Sequence, residues 1–169
     1  MERLMALSAS ISTRLRHQHE SLPEITRDLT ETALRQRINP DKWSAFEHIA
    51  HLAAYQPTFI SRLEKMATAP APSFETPPTF ERYVAEKDPQ FAACLDKPLA
   101  TLFELISTQA SEINAILAQT NKAGLLRTGL HPKYGLLTVT QWTEFYLLHE
   151  AHHLFTIFML TQDLRTARV

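Results

Sequence analysis

The chain has a single cysteine, Cys94, and only three glycines, Gly124, Gly129 and Gly135, among 169 residues. One thiol forms no intrachain disulfide and excludes the paired-cysteine spacing of zinc ribbons. Scarce glycine, with little alternating β-branched patterning, makes helices the natural reading. No apolar run reaches membrane-spanning length. The most hydrophobic stretch, Trp142 to Leu160, is interrupted by Thr143, Glu144 and histidines. Neither charge sign prevails either: 17 Lys and Arg face 18 Asp and Glu, a formal net charge of −1, so there is no electrostatic case for nucleic acid or an acidic membrane surface. Met1-Glu2-Arg3-Leu4-Met5 lacks the basic start and apolar core of a signal peptide. These absences lead us to expect a cytoplasmic protein folded as one domain over residues 1–169.

What is present is helical periodicity punctuated by caps. A first helix is expected from near Glu2, with Leu4, Leu7, Ile11 and Leu15 on one stripe and Pro23 ending or bending it. Ser44 followed by Glu47 is a capping box that opens a second helix running to about Met66, with a kink near Pro57. Pro70, Pro72, Pro77 and Pro78 mark an extended connection, and a short helical piece is expected around Phe80–Glu86. Asp96 reads as the N-cap of a third long helix with Pro98 in its first turn. Its seam is Leu95, Leu99, Leu102, Ile106, Gln109, Ile113 and Ile116. All three glycines then fall in a loop. Thr138 and Gln141 form a second capping box, opening a last helix that reaches about Leu164. The sum is an all-α four-helix bundle whose long link between the second and third helices can cross the bundle and leave them parallel.

The chemistry-bearing pattern is His149-Glu150-Ala151-His152-His153. Residues four apart on a helix point nearly the same way, so His149 and His153 could hold one metal ion from a single face. They share the stripe of Trp142, Tyr146, Ile157 and Leu160, which faces the core. Buried imidazoles need partners, and a metal supplies one. His51, on the apolar face of Leu52, Tyr55, Phe59, Leu63 and Met66, is the candidate third ligand. Three imidazoles and a water make an open site suited to zinc, and acceptable to nickel, iron or manganese. The bland alternative, core histidines bonded to buried polar groups or waters, stays open. His48 and His152 are alternative ligands that read better as neighbours of the ligand set, and His17 and His19 read as surface residues. Glu47, one turn before His51, is a candidate base, although its capping role already accounts for it. Glu150 completes a literal H-E-x-x-H pattern and is the other candidate acid or base. A zincin peptidase is excluded, because beyond His153 the chain holds no further His or Glu and Met159 stands at the extended-motif position.

Three segments in this order, Trp43-Ser44-x-x-Glu47-x-x-x-His51-Leu52, His131-Pro132-x-x-Gly135-x-Leu137-Thr138-x-x-x-Trp142 and His149-x-x-x-His153-Leu154, resemble the DinB/YfiT-like superfamily of metalloenzymes over about Leu29 to Ile157. The resemblance implies a four-helix bundle of up-down-down-up topology. It also implies a divalent metal on His51, His149 and His153, zinc or nickel foremost, and a homodimer. Family members with assigned chemistry include transferases that use a low-molecular-weight thiol, and isomerases of similar type. The chain departs from the pattern at Thr156, where relatives often carry Gln, and at Pro57 within the second helix. The expected function is a metal-dependent enzyme acting on a small molecule, a thiol-dependent S-transferase or a hydrolase, with a metal-activated thiol or water as nucleophile. Two rivals stand beside it: a non-catalytic bundle binding a metal or small ligand, and a dimerising module without metal.

Overall fold

A computed structural model of the chain describes residues 2–74 and 87–167. The helical piece expected around Phe80–Glu86 lies outside the described residues, as do the side chains of Leu4 and Leu7. In chain order the elements are α1 (Glu2–His17), a 3-10 turn (Gln18–Ser21), α2 (Leu22–Thr26), α3 (Glu31–Arg35), α4 (Ala45–Thr68), α5 (Pro89–Leu95), α6 (Leu99–Gln119), α7 (Lys122–Leu125), β1 (Thr128–His131), β2 (Gly135–Thr138) and α8 (Val139–Thr166). The four long helices α1, α4, α6 and α8 build the bundle.

Both capping boxes form. The Glu47 amide donates to Ser44 Oγ at 3.2 Å while the Ser44 amide donates to the Glu47 carboxylate at 2.7 Å. The equivalent Thr138 and Gln141 bonds measure 3.2 and 2.9 Å. Each box satisfies amides that a helix start leaves without intrahelical partners. Pro57 sits inside α4. The third helix starts differently from expectation. Pro98 occupies the N-cap of α6, and Asp96 closes the C-terminus of α5 instead. A proline ring holds φ near the value a helix entry needs, so it can stand at the boundary itself.

Side-chain pairs set the helix directions. Gln56 and Phe59 of α4 meet Tyr146 of α8, whereas His48, earlier on α4, meets His153, so α4 and α8 run antiparallel. Arg14 reaches Glu144 and Gln18 reaches Glu150, so α1 and α8 are parallel. Ile49 and Leu52 share one core cluster with Leu102 and Ile106, while Phe59 and Leu63 share another with Ile113, so α4 and α6 are parallel too. The topology is up-down-down-up. Joining two parallel helices demands a return between Thr68 and Leu99 along a 24-residue helix, roughly 36 Å at the usual rise.

The glycine-bearing segment is more than a loop. β1 and β2 pair antiparallel, Thr128 against Thr138 through His131 against Gly135. Gly135 takes φ +73°, a conformation that suits glycine in a tight hairpin. His131 Nδ1 accepts from the Lys133 and Tyr134 amides at 3.1 and 3.2 Å and ties the turn together. This hairpin lies against the start of α8, where Trp142 Nε1 donates to the Gly129 carbonyl at 3.2 Å. The extended chain after α4 docks on its edge, with the Leu130 amide donating to Pro72 O and the Phe74 amide to Leu130 O. Among the described residues no helix is long and apolar enough to cross a membrane.

Candidate metal centre

The α4 and α8 faces bring His51, His149 and His153 together. One nitrogen from each ring can be chosen so that all three lie within 4.8 Å of one another. His149 Nε2 stands 3.2 Å from His51 Nε2 and 3.1 Å from His153 Nε2. A neutral imidazole carries one N–H, so at most one of these contacts is a good linear bond donated by His149. Two imidazole nitrogens bound tetrahedrally at about 2.0–2.1 Å stand roughly 3.3 Å apart, close to both separations. Both separations therefore suit a divalent cation of the zinc type.

The surroundings hold these rings in place. His153 is buried, and its Nδ1 lies 2.8 Å from His48 Nδ1. Trp43 packs within 5.1 Å of His51 and 6.4 Å of His153, and stacks on Phe91 of α5. Tyr55 covers His149 with ring centroids 4.5 Å apart. Burial disfavours imidazolium here. It pushes His51 and His48 down to about 4 and His149 to about 3, with neighbouring histidines adding to the effect on His48 and His149, while the Asp88 carboxylate partly opposes it at His51. His153 is held well below the ordinary range by burial and then by His149, His51 and His48. Near neutral pH all four rings are uncharged and present lone pairs, the state a cation requires.

The two candidate acids are placed elsewhere. Glu47 lies at the start of α4, where Arg37 Nε donates to its carboxylate at 2.8 Å and the Ser44 amide also binds it. Burial raises its pKa, but Arg37 and Ser44 outweigh that and hold it low, as for a permanently ionised group. That environment suits a structural ion pair rather than a proton carrier. Glu150 turns toward α1, one helical step (~100°) away from His149. It is buried, and Gln18 Nε2 donates to its Oε2 at 2.7 Å. Burial pushes its pKa up to about 7, against the opposing influence of Gln18, Tyr146 and Arg14. It stands behind the ligand face, so the H-E-x-x-H geometry of a peptidase is not assembled.

One surface expectation is corrected. His17 is exposed and paired with Glu20, but His19 is buried at 7% exposure. The chain leaves α1 through the 3-10 turn, which rotates His19 inward. His152 is exposed beside the cluster. Sequence reasoning did not find the flanking residues Trp43, Tyr55, Phe91 and Asp88 as parts of the site. Trp43, next to the capping serine, and Tyr55, one turn beyond His51, carried a signal in their spacing. Phe91 and Asp88 arrive through the crossover and carried none.

Comparison with known proteins agrees with this architecture. The chain superposes on YfiT from Bacillus subtilis, described as a probable metal-dependent hydrolase with an unusual four-helix bundle topology, with a TM-score of 0.78 at 15% identity, covering 93% of this chain and 87% of that one. No curated protein matches it. The model of the DinB superfamily matches residues 14–157, and the chain belongs to that superfamily.

Proposed function

We propose that the protein is a divalent-metal-dependent enzyme that hydrolyses a small molecule, with His51, His149 and His153 holding the ion. One observation carries the reading: three ring nitrogens from two helices face one another at separations that suit a shared cation better than mutual hydrogen bonds. The description of YfiT as a probable metal-dependent hydrolase supports the same direction. A divalent ion held there would act as a Lewis acid, lowering the pKa of a water, or of a thiol, enough to make it a nucleophile at neutral pH.

The chain's own residues supply the rest. His48 faces His153 Nδ1, so a proton on that nitrogen leaves the His153 Nε2 lone pair directed at the shared point. Trp43 and Phe91 form an apolar wall that limits competing water. Tyr55 packs on His149 and fixes its ring plane. Glu47 is engaged by Arg37 and the Ser44 amide, and Glu150 by Gln18, so both carboxylates already have partners.

The test is turnover of a panel of esters, amides and alkyl halides by zinc- and nickel-loaded protein, with and without low-molecular-weight thiols. Hydrolysis without thiol that disappears in His51→Ala and on chelation is the expected result. Turnover only with thiol would make the protein an S-transferase. Metal binding with no turnover across the panel would favour a non-catalytic metal-binding bundle.

A further inference from the structure

A second polar site lies on α4, two helical turns beyond Tyr55. A cavity of about 540 Å3 opens there between α4, the extended segment at Ser73 and Phe74, and Gln90 of α5. Pro57 borders it, so the residue that departs from the family pattern sits at its wall. The α4 side contributes Thr58, Ser61, Arg62 and Lys65, and none of the described lining residues is acidic.

Arg62 is the unusual member. Its side chain is 7% exposed, yet among the described residues no carboxylate pairs with it. The guanidinium lies 5.3 Å from the Trp142 ring and 5.9 Å from those of Tyr55 and Phe74, and Nη1 donates to Tyr55 Oη at 3.1 Å. An arginine offers five N–H donors in a planar fork and stays charged at any physiological pH. Arg62 lines the cavity, and among the described residues only Tyr55 Oη accepts from its fork. Two hydroxyls nearby are also uncommitted. Thr26, Thr68, Thr120 and Thr143 each bond back to the preceding helical turn, but Thr58 and Ser61 make no such bond. Lys65, exposed at the rim, adds a second positive charge. A buried cation, a rim cation and two hydroxyls, with no acid among the described lining residues, describe a receptor for a small anion.

Tyr55 connects this receptor to the candidate metal centre, because the ring that packs on His149 ends in the hydroxyl that Arg62 binds. We infer that the cavity binds a small anion, a carboxylate or phosphate. This anion site does not depend on the metalloenzyme reading above.

Thermal midpoints measured against increasing inorganic phosphate, and separately acetate, with ionic strength held constant by chloride, test the site on zinc-loaded wild type and on His149→Ala. A saturable rise with at least one anion in both proteins is expected, and the tighter anion names the group. Arg62→Met should weaken it roughly tenfold or more, and Lys65→Met, at an exposed position, several-fold. No saturable rise beyond chloride, or unchanged affinity in Arg62→Met, would overturn the site. Should Arg62→Met not fold, unchanged affinity in Lys65→Met would do so. If wild type binds phosphate or acetate but no zinc, the metal reading falls and the anion site stands. Zinc binding without anion binding is the reverse outcome.

Discussion

The contact between His153 and His48 decides which nitrogen of His153 points at the other two imidazoles. His48→Ala removes that partner while leaving all three proposed ligands in place. Loss of such an outer partner typically weakens metal binding about 10–100-fold, and zinc competition against a chromophoric chelator should show a loss in that range. Unchanged affinity would mean that His48 has no part in the site. Glu150 supplies a second test of the same face of α8. In the unfolded chain its carboxyl titrates near 4.5, and in the folded protein burial places it near 7. Between those values the folded chain retains a proton that the unfolded chain releases, so this group's stabilisation is full below about 4.5 and declines as pH rises through 7. The depressed histidines act oppositely, lowering stability as pH falls below about 6.5. Glu150→Gln keeps the acceptor for Gln18 and cannot ionise. Urea unfolding should find the variant more stable than wild type at pH 8, with the gap closing by pH 5.

At the scale of elements, the hairpin holds the base of α8 through a close approach. A Cβ on Gly129 would collide with the Phe74 ring and come within 2.9 Å of Met66 Sδ. Gly129→Ala should cost about 1–3 kcal/mol, the usual range for overpacking, read as a lower urea midpoint with an unchanged slope. An alanine as stable as wild type would show that Phe74 moves freely. The helices were legible because their starts are written locally: Ser44 with Glu47 and Thr138 with Gln141 are complete in four residues. The hairpin was not, since Gly124, Gly129 and Gly135 read equally well as a loop until Gly129 is seen beneath Phe74. Asp96 misled for a related reason. An aspartate suits a helix end of either kind, and only the preceding α5 shows which one it closes.

The whole molecule turns on the crossover. Up-down-down-up topology places α8 antiparallel to α4, which lets an i, i+4 pair on one helix meet His51 on the other. The three histidines were readable because that geometry depends only on helical spacing and the core-facing stripe. Arg62 and Asp88 were not, because Arg62 meets Phe74, and Asp88 meets His51, only through the fold of the chain between α4 and α6. A site shared by two helices also ties metal binding to folding. Zinc at about 1,000 times its dissociation constant should stabilise the protein by about 4 kcal/mol if it binds only the folded state, seen as a thermal midpoint that climbs with zinc concentration. His51→Ala should abolish the climb while remaining folded, since His51 is only half-buried. The most direct measurement is the metal content of protein purified without chelator and incubated with zinc, alongside His149→Ala. One divalent ion per chain in wild type, and essentially none in the variant, is what the shared nitrogen geometry predicts. A wild type that holds no ion, or a variant that keeps it, would contradict the account.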